Sequence, residues 1–178
     1  MITPPPGFKV IDDLFEHSAD VIEWAQAQSG WEQSKVDTVN ELDVGRTSDT
    51  LGITMLAFTH PDFVHSMNRR VWQALDEYAK EYEITFSGIE PASLNRYAVG
   101  QEYRVHIDFN PDNLRVISAV LYLNDVAEGG QTTFTFFDYT VQPRAGRLVI
   151  FPSNYVYRHA ALPPLSGTKY AIAYWARA

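Results

Sequence analysis

From position 92 to the C-terminus, apolar and polar residues alternate with a period close to two. The runs are SLNRYAV (93–99), YRVHIDF (103–109), RVISAVLYLN (115–124), QTTFTFF (131–137), YTVQP (139–143), GRLVIFP (146–152), YVYRHAAL (155–162) and KYAIAYWAR (169–177). Turn-rich stretches such as NPDN, DVAEGG, PRAG and PPLSG separate them, as expected for short strands joined by tight connections. The first half has a different period. Residues 12–28 place Leu14, Phe15, Val21, Ile22 and Trp24 at mostly helical spacing, and Gly30 is a natural stop. Residues 60–82 repeat Phe63, Val64, Met67, Val71, Leu75 and Tyr78 in steps of three and four, with Pro61 where a helix begins. Between them, 31–58 reads as two strands around an irregular loop near 40–50.

This pattern predicts an α+β, mainly β fold: a double-stranded β-helix (jelly roll, cupin-like) with N-terminal helices supporting one sheet. We expect a single domain over 1–178, with helical support about 10–82 and a jelly-roll core about 92–178. There is no internal repeat and no low-complexity segment.

The chain has 178 residues, enough for a substantial core, and no cysteine, which excludes disulfides, thiolate metal sites and cysteine nucleophiles. Its formal charge of −8 argues against broad, charge-driven nucleic-acid binding. No stretch reaches the apolar length of a membrane span, and the start has no basic-then-apolar signal pattern. A cytoplasmic protein is expected, with its oligomeric state left open.

In YRVHIDF, alternation puts Tyr103, Val105, Ile107 and Phe109 on one face and Arg104, His106 and Asp108 on the other. His106 and Asp108, about 6.6 Å apart along one strand face, suit two ligands of one metal ion. Non-haem Fe(II) takes two histidines and a carboxylate on one face of an octahedron, and His159 on a later strand supplies a second histidine. An H-x-D pair also arises as an ordinary hydrogen-bonded surface pair, and His159 alone is also what a satisfied strand histidine looks like. Lys169 shares its face with Ala171, Ala173 and Trp175. That fits a cation bordering a cavity with an anionic occupant, or a lysine on an edge strand. His17, His60 and His65 have no partners at ligand spacing and read as surface or capping residues.

Five segments in order carry a resemblance: RYAVGQEYRVHIDF, RVISAVLYLN, EGGQTTF, PRAGRLVIFPS and RHAALPPLSGTKYAIAYW. Over about 95–177 the chain resembles the prolyl 4-hydroxylase group of the 2-oxoglutarate- and Fe(II)-dependent dioxygenases, and VGRTSDTLG resembles that family's mobile substrate loop. The resemblance implies that His106, Asp108 and His159 are the iron ligands, with the aspartate pointing to hydroxylation, not halogenation. It implies that Lys169 binds the distal carboxylate of 2-oxoglutarate, with Tyr97, Tyr122 and Thr132 around the same cosubstrate. Tyr103, Arg115, Trp175 and Arg177 match positions near the substrate. By simple alternation, however, Tyr103 faces away from His106.

The implied cofactors are Fe(II), 2-oxoglutarate and O2, with ascorbate as reductant. The implied reaction is hydroxylation of a prolyl residue in a peptide or protein, and the partner is then a proline-containing peptide or protein. Three alternatives stay open: an oxygenase acting on a free amino acid or other small molecule, a nucleic-acid dealkylase, and a non-catalytic cupin-like metal-binding module. The charge and Lys169 weigh against the second, and the triad with Lys169 against the third. The segment 43–51 is expected to act as a lid.

Overall fold

Ser18, Val21, Trp24 and Ala25 are buried on one side of the first helix, and Val64, Met67, Val71, Leu75 and Tyr78 form the buried stripe of a longer one. Both stripes need a partner surface, and a twisted sheet supplies it. The computed structural model describes residues 4–34, 45–90, 92–109 and 111–178. In chain order the elements begin with β1 (Lys9–Ile11), α1 (Ser18–Gln26), β2 (Glu32–Gln33), β3 (Asp49–Gly52), α2 (Thr54–Thr59) and α3 (Pro61–Glu81). They continue with β4 (Gly88–Ile89), β5 (Ser93–Tyr97), β6 (Tyr103–His106), β7 (Arg115–Tyr122), β8 (Thr132–Phe134) and β9 (Tyr139–Val141). The last are β10 (Leu148–Pro152), a 3-10 turn at Tyr155–Tyr157, β11 (His159–Ala161) and β12 (Lys169–Arg177).

The strands form two antiparallel sheets. The larger has the order β1-β10-β7-β12-β5-β3-β2, with β4 also paired to β12, and the smaller has the order β6-β11-β8-β9. Two apolar clusters make three layers of this. One packs the helices against the outer face of the larger sheet, through Met67, Leu75, Leu94, Leu121 and Ile172 among others. The other fills the space between the sheets with Phe8, Tyr122, Phe134, Val149 and Phe151. Each of these fully buried side chains contributes roughly 1.5–3 kcal/mol of transfer free energy. Strand alternation then divides the labour. On β12, Tyr170, Ile172, Tyr174 and Ala176 face the helices, so Lys169, Ala171, Ala173 and Trp175 face the interior between the sheets. On β7, Ile117, Ala119 and Leu121 pack toward the helices, and Ser118, Val120 and Tyr122 point inward.

The eight core strands and the long helix lie where the pattern predicts them, and several boundaries differ. The first helix begins at Ser18, not at 12. Asp13 takes a left-handed φ of 56°, and the Leu14 N–H donates to the Gly146 carbonyl, so a long-range contact captures residues that local spacing would make helical. Residues 54–59 are helical, packed beside α3, where a strand is predicted. In YVYRHAAL the first three residues form a 3-10 turn capped by the Asn154 side chain, which accepts from Val156 N–H, and only His159–Ala161 is strand. The expected lid at 43–51 lies partly outside the described residues. Within them, Asp49–Gly52 is not a loop but β3, paired to β5 in register Leu51 to Leu94. Among the described residues no helix is long and apolar enough to cross a membrane.

Candidate active site

β6 and β11 are neighbours in the smaller sheet, with His106 opposite His159. Asp108 lies just beyond the end of β6. Its position is fixed by two hydrogen bonds to the backbone nearby: Phe109 N–H donates to the Ser153 carbonyl, and the Asn113 side-chain amide donates to the Asp108 carbonyl. The carboxylate points between the two imidazoles. His106 Nε2 is 3.6 Å from Asp108 Oδ1, and His159 Nε2 is 3.7 Å from Asp108 Oδ2. One ligand atom from each of the three residues falls within 4.8 Å of the others, the one such cluster among the described residues.

Backbone carbonyls set the ring orientations. His106 Nδ1 is 2.8 Å from the Arg104 carbonyl, and His159 Nδ1 is 3.0 Å from the Tyr157 carbonyl. A carbonyl only accepts, so both Nδ1 atoms carry the proton and both Nε2 lone pairs face the carboxylate, the orientation a metal requires. Burial pushes His159 down to about 4, with the neighbouring His106 adding to the effect, so the imidazole is neutral at pH 7. Burial by itself raises the Asp108 carboxyl. In acid, the positive charges of the protonated imidazoles and the 2.6 Å bond donated by Ser118 outweigh it and hold the group below the usual carboxylate range. Ser118 is itself 2.8 Å from Ser153, so β7 and the end of β10 orient the carboxylate through a hydroxyl pair. Two imidazoles and one carboxylate, all on one side and open on the other, fit a six-coordinate Fe(II) with three free positions.

The space between the sheets continues from this cluster past Tyr97, Thr132 and Ala171 to Lys169. Lys169 is 1% exposed, and burial pushes its ammonium down to about 7. Its Nζ donates to the Gly130 carbonyl at 2.7 Å and sits 5.1 Å from the centre of the Tyr97 ring and 5.4 Å from that of Tyr122. The Tyr122 hydroxyl donates to Thr132 Oγ1 at 2.7 Å. Among the described residues no carboxylate pairs with Lys169, and a buried cation without a counter-charge is a receptor for one. The Gly129–Gly130 turn delivers the carbonyl. Both residues have φ above 70°, and a Cβ on Gly129 would lie 2.4 Å from the Pro163 carbonyl oxygen.

On the solvent side a groove of about 980 Å³ opens onto the cluster, lined among others by Arg46, Tyr103, Ile107, Arg115, Arg158 and Trp175. Arg115 makes a two-pronged contact with Glu90 at 3.0 and 2.7 Å and lies 3.9 Å from the centre of the Trp175 ring. Arg177 is exposed and outside this lining, its Nε donating to the Asn113 carbonyl. Tyr103 does not face away from His106, as alternation predicts. Their rings stack with centroids 3.6 Å apart, and the Arg46 guanidinium lies 4.8 Å from the Tyr103 ring on top of them. The cause is a bulge: His106 pairs with His159 and Tyr103 with Ala161, three steps along one strand against two along the other. The extra residue returns Tyr103 to the face of His106. The same strand sends Val105 outward, 51% exposed, so its apolar face rims the groove. The sequence by itself assigns no role to Arg46, Glu90, Ser118, Ser153 or Arg158. Ser118 stands on the inward face of β7, which was its available signal. The others have none without the tertiary contacts.

Residues 92–177 match the sequence profile of the 2OG-Fe(II) oxygenase superfamily. Prolyl 4-hydroxylase subunit alpha-1 of Gallus gallus is 34% identical over 107 residues, covering 50% of this chain and 21% of that protein. Probable prolyl 4-hydroxylase 9 of Arabidopsis thaliana is 32% identical over 117 residues, covering 49% of this chain and 41% of that protein. The chain thus spans well under half the length of these relatives. Among solved structures, the viral collagen prolyl hydroxylase of Paramecium Bursaria Chlorella virus-1 superposes with a TM-score of 0.77 at 22% identity, covering 97% of this chain and 96% of that one. A prolyl-4-hydroxylase of Pseudomonas putida gives 0.67 at 21% identity, covering 97% and 93%. These likenesses show the fold, and the profile match, with the His-Asp-His cluster inside it, places residues 92–177 in the 2OG-Fe(II) oxygenase superfamily.

Proposed function

We propose that this chain is a 2-oxoglutarate- and Fe(II)-dependent dioxygenase that hydroxylates a prolyl residue of a peptide or protein. One observation carries the reading. His106, Asp108 and His159 converge at one end of a cavity whose other end is the buried Lys169, without a carboxylate partner among the described residues. His106, Asp108 and His159 would hold Fe(II), which with 2-oxoglutarate and O2 would supply the oxidising power for hydroxylation. The chain's own residues then have separable tasks. The carbonyls of Arg104 and Tyr157 fix the imidazole tautomers, and Ser118 holds the carboxylate. Lys169 meets the distal carboxylate of the cosubstrate by a charge-assisted bond, with the Thr132 hydroxyl and the Tyr97 ring beside it. Tyr122 acts through Thr132. The stack of Arg46 and Tyr103 braces the exposed side of His106. Arg115, clamped by Glu90 and laid on Trp175, forms one wall of the groove that a substrate must enter.

Proline as the target draws on the likeness to prolyl 4-hydroxylases, and peptide as the substrate draws also on the groove of about 980 Å³ that opens onto the cluster. The test is mass spectrometry of a panel of proline-containing peptides incubated with Fe(II), ascorbate and 2-oxoglutarate. A 16 Da gain mapped to proline is the expected product. A gain mapped to another residue, or found with free amino acids alone, rejects prolyl hydroxylation.

A further inference from the structure

The groove opposes the charge of the chain that carries it. Overall the formal charge is −8, yet the groove lining holds Arg46, Arg104, Arg115 and Arg158 against Glu102 and Asp108. Two of these cations already have carboxylate partners. Arg104 Nε lies 3.2 Å from Glu102, and Arg115 is bound by Glu90. Arg46 is held by neutral groups, donating to Ser48 Oγ and to Asn95 Oδ1. Arg158, exposed and immediately before the metal-cluster residue His159, has no carboxylate within ion-pair distance among the described residues. Asp108 faces inward, between the two imidazoles, and leaves the outer rim without its charge. The same rim exposes aliphatic side chains: Val105, Ile107 and Leu162 line it and are 51%, 38% and 37% exposed. An uncompensated cation on an apolar-edged groove, in a chain otherwise repelling anions, is an element that selects and orients one class of partner.

We propose that Arg158 recognises an acidic side chain of a peptide substrate within a few residues of the one presented to the metal, with an aliphatic neighbour on the rim. This rests on the dioxygenase reading above and narrows its substrate class to acidic peptides. Arg46, the second cation without a carboxylate among the described residues, adds to the same local field from the inner side of the groove.

The test uses three peptides identical around a central proline and differing only in flanking Glu, Gln or Lys. Affinity is read by fluorescence anisotropy with the Mn(II)- and 2-oxoglutarate-loaded protein, and turnover by mass spectrometry. The Glu peptide is expected to bind about two- to fivefold more tightly than the Gln peptide at low salt, the range of a solvent-accessible ion pair. The difference should shrink as ionic strength rises. Arg158→Glu should invert the order in favour of the Lys peptide. Equal affinity for all three peptides, or an order that Arg158→Glu leaves unchanged, overturns the proposal and leaves the hydroxylase reading standing. Charge-ordered binding without hydroxylation of any peptide supports the groove assignment and counts against the reaction.

Discussion

Replacing Lys169 by methionine keeps most of its length and volume and removes its charge and its donors. In the folded protein the ammonium is 1% exposed, donates to the Gly130 carbonyl and pairs with no carboxylate among the described residues. Losing a charged hydrogen bond to the distal carboxylate of 2-oxoglutarate costs roughly 1.5–3 kcal/mol. That corresponds to an increase in KM for 2-oxoglutarate of about ten- to a hundredfold. The metal cluster contains no atom of Lys169, so Mn(II) affinity should hold. The charge also has a stability signature. Burial lowers the folded pKa to about 7 from an ordinary 10.5, so between those values the unfolded chain binds more protons than the folded one. Stability of the ligand-free protein therefore rises as pH increases from about 7 toward 10.5, and the cost of the buried charge is fully present below 7. Lys169→Met should flatten that rise without loss of stability at pH 7. The assays are succinate release against 2-oxoglutarate concentration and thermal melts at pH 6.5, 8 and 9.5. An unchanged KM in a folded Lys169→Met protein refutes the assignment of this residue to the cosubstrate. An unaltered pH profile refutes its burial as a cation.

Single substitutions His106→Ala, Asp108→Ala and His159→Ala should each abolish Mn(II) binding, read by electron paramagnetic resonance, while circular dichroism retains the native strand signal. Ser118→Ala, which removes the 2.6 Å bond to Asp108, should weaken Mn(II) binding about ten- to a hundredfold, as loss of a ligand-orienting partner does; unchanged metal affinity shows that the hydroxyl does not orient the carboxylate. Gly129→Ala combines a left-handed backbone with a 2.4 Å approach to the Pro163 carbonyl and should lower the melting temperature by the equivalent of about 1–3 kcal/mol; an unchanged melt would mean the 128–131 turn relaxes freely.

Period-two alternation was enough to determine the eight core strands and the inward face of β12, because a strand between two packed layers must divide its side chains between them. It also brought Lys169, Ala171, Ala173 and Trp175 to one face, and the order of the H-x-D, the later histidine and the lysine pointed to the site. The helical stripe of α3 was equally legible, since Val64, Met67, Val71, Leu75 and Tyr78 repeat with the helix period. What the tertiary structure alone decided lies where a distant contact overrides local spacing. Tyr103 stacks on His106 because β6 holds one more residue than the segment of β11 it pairs with, and register across a strand pair is not written in either strand alone. The segment 12–17 stays out of the helix because Leu14 bonds to Gly146, which lies far along the chain. Arg158 has no carboxylate partner among the described residues, whereas Arg115 is clamped by Glu90 and Arg104 is matched by Glu102. A charge's partner is a property of three-dimensional neighbours, and the sequence shows only that the charge exists.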